Sequence, residues 1–279
     1  MLPYETMSEA AAALGRNLTA GETLWFHYTA AMPDYYIYYL TIVILFVVFS
    51  LVPLPFIVVE LCFPSIISSF KLQPKTYLPF SSILHCYFSI LRILILHVGP
   101  IQLFSYPVIK LIGIRTGLLL PSLWEIGLQL LVYFIVEDYV SYWIHRVMHH
   151  GWQHEKIHKV HHEYTAPMGF VAAYAHHAEV FIFSVPSFIG PAIVPGHMIT
   201  FWLWIILRQM QGIEAHCGYN FPFSPTKVIP FYGGAEFHDY HHYIGGQSQS
   251  NFAPVFTYCD YIYGTDKGYR YYKAHISKI

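Results

Sequence analysis

The sequence predicts an all-α fold set in a membrane, and three observations carry that prediction. Only 11% of the residues are charged, against roughly 25% in soluble domains, while 55% are apolar, 18% are aromatic and the mean hydropathy is +0.42. The segment Ile37 to Val59 runs for 23 residues without a charge; as a helix it is about 34 Å long, enough to cross a hydrocarbon core of roughly 30 Å. Polar character is concentrated in one residue type, since 14 of the 18 histidines lie between His145 and His242. Together these predict a membrane helical bundle with a histidine-rich helical cap outside the lipid.

In chain order, Met1 to Thr19 lacks a basic segment followed by an apolar one, so no cleaved signal peptide is expected and insertion falls to an internal span. After the span at 37–59, Ile83 to Phe104 is apolar apart from His85, Arg92 and His97. Leu123 to Ile144 is apolar apart from Glu125, Glu137 and Asp138, and both segments are predicted to span. The apolar run from Ala178 to Ile213 contains Pro186, Pro191 and Pro195. Proline breaks or kinks a helix, so a hairpin that dips into the membrane and returns is expected there. No internal repeat or charged or Ser/Gly-rich linker divides the chain, so residues 1–279 are read as one domain, with the chemistry in 138–242.

The formal net charge of -1 and the lack of a basic stripe argue against nucleic acid as a partner. Cys62, Cys86, Cys217 and Cys259 form no C-x-x-C pair, which argues against a zinc ribbon, a redox dithiol or covalent haem. No Gly-rich dinucleotide fingerprint, phosphate-binding loop or nucleophile elbow occurs, so nucleotide binding, phosphoryl transfer and serine hydrolysis have no support.

Three histidine clusters remain: His145-Arg-Val-Met-His149, His158-Lys-Val-His161-His162 and His238-Asp-Tyr-His241-His242. Residues three and four apart share a helix face, so each cluster can aim two or three imidazoles at one point. His176 and His216 join them as candidates, making ten with His145, His149, His158, His161, His162, His238, His241 and His242. A structural zinc closes with four ligands and a catalytic zinc uses three, so ten imidazoles point to two metals with open positions. Imidazole suits iron, zinc, copper and nickel alike, so the ligand type does not name the metal. Chemistry beside lipid favours an iron pair that activates dioxygen, because redox-silent zinc is limited to Lewis-acid and hydroxide chemistry. Without a nicotinamide or flavin fingerprint, the electrons must come from a separate membrane redox protein.

Carboxylates commonly orient metal-bound imidazoles through the other ring nitrogen. Glu137, Asp138, Glu155, Glu163, Glu179, Glu214, Glu236 and Asp239 lie near the clusters, and Asp138, seven residues before His145, is the favoured one because two helical turns return it to the same face. A helix continuing past Ile144 puts His149 about 40° from His145, but His150 about 140° and His154 about 180° away, so the last two are read as surplus.

On these residues the chain resembles the fatty acid hydroxylase and sterol desaturase superfamily, and within it the plant sterol 4-alpha-methyl oxidases of the first type. The resemblance covers nearly the whole chain. It rests on Leu-Gly-Arg-Asn-Leu-Thr from Leu14, Ser-Leu-Val-Pro-Leu-Pro from Ser50, His161-His-Glu-Tyr-Thr-Ala-Pro167, Gly190-Pro-Ala-Ile193 and above all Ile229 to Arg270, with Gly-Gly-Ala-Glu-Phe-His-Asp-Tyr-His-His and Gly-Gln-Ser-Gln-Ser-Asn-Phe. It implies a di-iron monooxygenase of the endoplasmic reticulum membrane that uses dioxygen to take a sterol 4-alpha-methyl group through alcohol and aldehyde to carboxylate. The implied substrate is a 4,4-dimethylsterol such as 24-methylenecycloartanol. The implied partners are cytochrome b5 and its reductase, drawing on NADPH, and a downstream 4-alpha-carboxysterol dehydrogenase that removes the carboxylate carbon. Related hydroxylases carry H-x-x-x-H where this chain has Gly212 and His216, which implies that His176 supplies a ligand instead; the C-terminal Ile276-Ser-Lys-Ile279 lacks the dilysine signal frequent in the family.

The competing readings are another oxygenase of the superfamily (a sterol desaturase, fatty-acid hydroxylase or wax-pathway enzyme) and a metal-handling membrane protein. Arg146, Lys156, Lys159, Lys227, Lys267, Arg270, Lys273 and Lys278 place the histidine clusters in the cytosol, since cytoplasmic segments are rich in Lys and Arg. Counting back through three spans puts the N-terminus, with its sequon Asn17-Leu-Thr19, in the lumen.

Overall fold

The computed structural model describes residues 2–244 and 249–276. Part of the Gly-Gln-Ser-Gln-Ser-Asn-Phe run and the last residues of the C-terminus, Lys278 included, lie outside them. Among the described residues the regular elements are all helical, and pairing of extended backbone is limited to isolated bridges such as Lys71 with Tyr219.

Two short helices open the chain. α1 (Met7–Leu14) is capped by the Thr6 hydroxyl, and α2 (Ala20–Thr29) by a reciprocal box in which Thr19 accepts from the Glu22 N–H and Glu22 accepts from the Thr19 N–H. α3 (Asp34–Leu51) and α4 (Leu54–Cys62) form one apolar stretch of 29 residues, broken where Pro53 cannot donate into the helical ladder. After the single turn α5 (Pro64–Ile67), a second stretch of 33 residues comprises α6 (Phe80–Ile93), a π turn at Leu94–Val98 and α7 (Gly99–Ile112). Pro100, just past the π turn, has no N–H to return to the preceding turn, which accounts for the local widening.

Both stretches are long and apolar enough to cross a bilayer, with mean hydropathies of 3.0 and 1.6 over their best windows. Their exposed surfaces carry Val43, Phe46, Val47, Leu51, Phe88, Ile95, Leu103 and Phe104, a composition suited to lipid. α8 (Leu123–Met148) is the longest helix at 26 residues and is two-faced. Trp124, Leu128, Leu131, Ile135 and Tyr139 recur at helical spacing on an exposed stripe, while Gln129, Glu137, Asp138, Ser141, Tyr142 and His145 point inward. The polarity that lowers its mean hydropathy is therefore internal.

The chain then turns into α9 (Gly151–Lys156) and a 3-10 turn at His158–Glu163. The proline-rich segment folds into two arms. α10 (His177–Ser184) and α11 (Pro186–Ile193) form the first, and α12 (Met198–Ala215) the second. α11 packs directly on α8: a Cβ on Gly190 would stand 2.8 Å from the Tyr133 Cα, so only glycine permits the approach. α12 packs on α3, α8 and α13 (Gly234–Tyr243), with Phe201 and Trp204 fully buried. α14 (Tyr258–Tyr263) and α15 (Lys267–Ile276) complete the cap.

Candidate metal centre

Four segments converge beyond the inner end of α8: the α8 terminus, the 3-10 turn at His158–Glu163, the end of α12 and helix α13. They bring nine buried histidines into two adjoining groups. His145, His149, His158, His162 and His241 form one; His161, His216, His238 and His242 form the other, each with one ring nitrogen per residue within 4.8 Å of the rest. The groups touch, for the rings of His162 and His242 lie 4.6 Å apart and those of His238 and His241 stack at 5.5 Å.

Each H-x-x-H-H segment is divided between the two groups rather than aimed at one point. His158 and His162 serve the first and His161 the second, while His241 serves the first and His238 and His242 the second. Neighbouring residues point about 120° apart on a 3-10 turn and about 100° apart on an α-helix, so the paired histidines 161–162 and 241–242 straddle two centres. The simpler H-x-x-x-H of α8 places both its imidazoles in the first group, where i and i+4 share a face.

The outward nitrogens define which way the rings face. His145 Nδ1 is 2.7 Å from the Phe252 carbonyl, His241 Nδ1 2.7 Å from that of Ser250, His161 Nδ1 3.0 Å from that of Tyr174 and His216 Nδ1 2.7 Å from that of Gly212. A carbonyl only accepts, so each Nδ1 carries the proton and each Nε2 presents a bare lone pair. These lone pairs converge: His158 Nε2 is 3.1 Å from His145 Nε2 and 2.9 Å from His149 Nε2, His241 Nε2 is 3.2 Å from His162 Nε2, and His216 Nε2 is 3.3 Å from His161 Nε2. Acceptors do not attract one another, and both ring nitrogens of buried His242 lack a hydrogen-bond partner among the described residues. A cation in each group resolves both conflicts, so the residues fit two metal ions. Burial, before any other cause, holds His145 down to about 4 and drives His158, His216, His238, His241 and His242 well below the usual histidine range, keeping the rings in the neutral form that a metal needs.

A carboxylate that reaches an imidazole is that of Glu179 of α10, whose Oε1 lies 2.7 Å from His158 Nδ1. Asp138, favoured from its position on α8, faces the right way but is used differently: its Oδ1 accepts the backbone N–H groups of Val255 and Phe256 at 2.9 and 3.0 Å. Asp260 grips the same loop through the N–H groups of Phe252 and Ala253, at 2.9 and 2.7 Å. Directly before these residues lies buried Asn251 with φ of 58°, a left-handed conformation that Asn tolerates better than most residues. This loop presents the Ser250 and Phe252 carbonyls to His241 and His145. Sequence reasoning missed it, although an acidic residue followed by a turn after the Ser-Asn-Phe run was its available signal.

His176 is not brought into either group. It caps α10, its Nδ1 accepting the Ala178 N–H at 3.2 Å, and its ring lies against His177. The angular separation expected of His154 also fails, because α8 ends at Met148 and the chain turns through Gly151 at φ of 54° before α9 starts. The His154 ring thereby returns to 5.6 Å from that of His149, whereas His150 is exposed.

His145, His158, His161, His216 and His238 also line a cavity of about 250 Å³ whose walls include Leu45, Phe49, Leu94, Val98, Phe183 and Phe188. The histidine groups thus open onto an apolar chamber bounded by the two long apolar stretches.

Residues 130–265 match the family described as fatty acid hydroxylase. Over its full length the chain is 62% identical to the very-long-chain aldehyde decarbonylase GL1-10 of Oryza sativa subsp. japonica, covering 93% of that protein. It is 60% identical to methylsterol monooxygenase 1-1 and 61% identical to methylsterol monooxygenase 1-2 of Arabidopsis thaliana, in each case over the whole chain and 94% of the relative. No solved structure matches. With relatives this similar along its entire length and the nine histidines assembled in its cap, the chain belongs to the fatty acid hydroxylase family.

Proposed function

We propose that the protein is a methylsterol monooxygenase that oxidises a sterol 4-alpha-methyl group stepwise to the carboxylate, with a 4,4-dimethylsterol such as 24-methylenecycloartanol as substrate. The observation that carries the reading is the pairing of nine buried imidazoles, in two groups, with an apolar cavity that reaches them from between the long apolar helices. Two irons held there supply dioxygen activation for cleavage of an unactivated carbon-hydrogen bond. The first group is His145, His149, His158, His162 and His241, the second His161, His216, His238 and His242.

The surrounding residues supply orientation and exclusion of water. Glu179 and the carbonyls of Phe252, Ser250, Tyr174 and Gly212 fix the ring planes and tautomers. Leu45, Phe49, Phe183 and Phe188 give the substrate a dry wall. Each oxidation consumes dioxygen, two electrons and two protons and releases water, so a reductant is required. Cytochrome b5 and its reductase, fed by NADPH, are the proposed source, and a 4-alpha-carboxysterol dehydrogenase takes the product. The proposed location is the endoplasmic reticulum membrane, crossed at 37–59, 83–104 and 123–144, with the 178–213 hairpin entering from the cytosolic side and the histidine cap in the cytosol.

The decarbonylase name of one relative supports a second reading, a wax-pathway enzyme acting on a long-chain aldehyde. Expression in cells lacking their own methyl oxidase, with sterols and alkanes profiled, separates the two. Rescue with loss of accumulated 4,4-dimethylsterols is the expected result. Alkane formation without change in the sterols would replace the first reading by the second.

A further inference from the structure

The cavity contains one ion pair among its apolar walls. Arg208 of α12 and Glu137 of α8 both line it, with Arg208 Nε 2.9 Å from Glu137 Oε1. The carboxylate side chain is only 3% exposed and the guanidinium 16%. A buried pair of charges is a weak source of stability, and inside a membrane protein it is a functional feature by default. Glu137 Oε1 also accepts from Ser141 Oγ at 3.1 Å, and Arg208 Nη1 donates to Gln211 Oε1 at 2.8 Å. Two groups are left over. The Nε–H of Arg208 is not aligned on its partner oxygen, and among the described residues neither that donor nor Glu137 Oε2 has a hydrogen-bond partner.

The pair and the histidines share the cavity: Glu137 precedes His145 by eight residues on α8, Arg208 precedes His216 by eight on α12, and all four side chains line it. The guanidinium reaches forward, its Nη1 3.5 Å from where a Cβ on Gly212 would sit, one turn before His216.

We infer that Arg208 and Glu137 together bind the substrate's hydroxyl group, the one on the ring carbon next to the carbon that bears the oxidised methyl. This rests on the sterol reading given above. A hydroxyl is a donor and an acceptor in one atom, which is what an unfilled acceptor on Glu137 and an unfilled donor on Arg208 require. A long-chain aldehyde offers only an acceptor and leaves the carboxylate unfilled in a dry cavity. The pair is therefore the feature that selects a hydroxysterol over an acyl chain and turns the neighbouring methyl toward the histidines.

The test compares a 4,4-dimethylsterol carrying the free 3-hydroxyl with its 3-ketone, which keeps the size and the acceptor but lacks the donor. Metal-loaded wild type should use the ketone with a kcat/KM about 10- to 100-fold lower, chiefly through KM, and be thermally stabilised less by it. The double variant Glu137→Leu with Arg208→Met removes both charges at once, a replacement that buried pairs often tolerate. It should retain its metal and treat the two sterols within about twofold. Arg208→Lys, which keeps the charge, should show intermediate discrimination and serves if the double variant does not fold. Equal use of both sterols by the wild type overturns the inference and leaves the sterol reading standing, as does full discrimination in a folded double variant. Turnover of a long-chain aldehyde and of neither sterol overturns both.

Discussion

A histidine earns its place at a metal by where its outward nitrogen is held as much as by its position in the sequence. His149 stands in the first group through the i,i+4 geometry of α8, so His149→Ala should lower metal content and reduce oxidation to background. His150→Ala, at an exposed position, and His176→Ala should keep both metals, the latter at a cost of about 1 kcal/mol for the lost cap on α10. Metal content and sterol turnover measured at matched expression decide this; metal loss in His176→Ala would restore that residue as a ligand. Glu179→Ala should weaken metal retention against a chelator about 10- to 100-fold, because the His158 ring loses the partner of its Nδ1. Asp138→Asn should leave metal retention closer to wild type, since its carboxylate holds backbone. Eight of the nine histidines that converge lie in the three clusters that spacing marks and His216 stands apart from them, whereas the choice between Asp138 and Glu179 was not legible. Position on a helix predicts which way a carboxylate points but not which segment arrives in front of it.

Among the elements, the loop from Ser250 to Phe256 is the least visible in the sequence and sets the orientation of the His145 and His241 rings. Asp260→Ala leaves two buried backbone N–H groups without their acceptor, at about 1–3 kcal/mol each. The variant should melt earlier and release metal from the His145 and His241 side first, measurable by thermal denaturation followed with metal analysis. An unchanged melting temperature would remove the loop from the account. The break between α8 and α9 escaped the angular reading for a local reason. Periodicity extrapolates a helix until something stops it, and here the stop is the positive φ of Gly151, directly after His149 and His150. Of the three prolines in the α10–α12 segment, Pro186 opens α11, Pro191 is absorbed inside it and Pro195 falls between the two arms. The partition of 161–162 and 241–242 follows from helical angles once two centres are allowed.

At the scale of the whole molecule, apolar stretches, internal polarity and the histidine cap form one arrangement. Two stretches qualify as spans on length and hydropathy, at Asp34–Cys62 and Phe80–Ile112, and they were legible because their apolar runs are long and carry few charges. α8 hides its polar groups behind an exposed apolar stripe, so averaging along the sequence understates how well its outer face suits lipid. The proposed topology, with the cap in the cytosol, puts exposed Asn17 in the lumen, so protease should spare the N-terminus in sealed microsomes while leaving the cap cleavable. A cleaved N-terminus under those conditions reverses the topology. The most direct test of the central claim is elemental analysis of gently purified protein that is active on a dimethylsterol. The account predicts about two irons per chain, with activity rising and falling with iron content. Full activity in protein that contains zinc and no iron would contradict it.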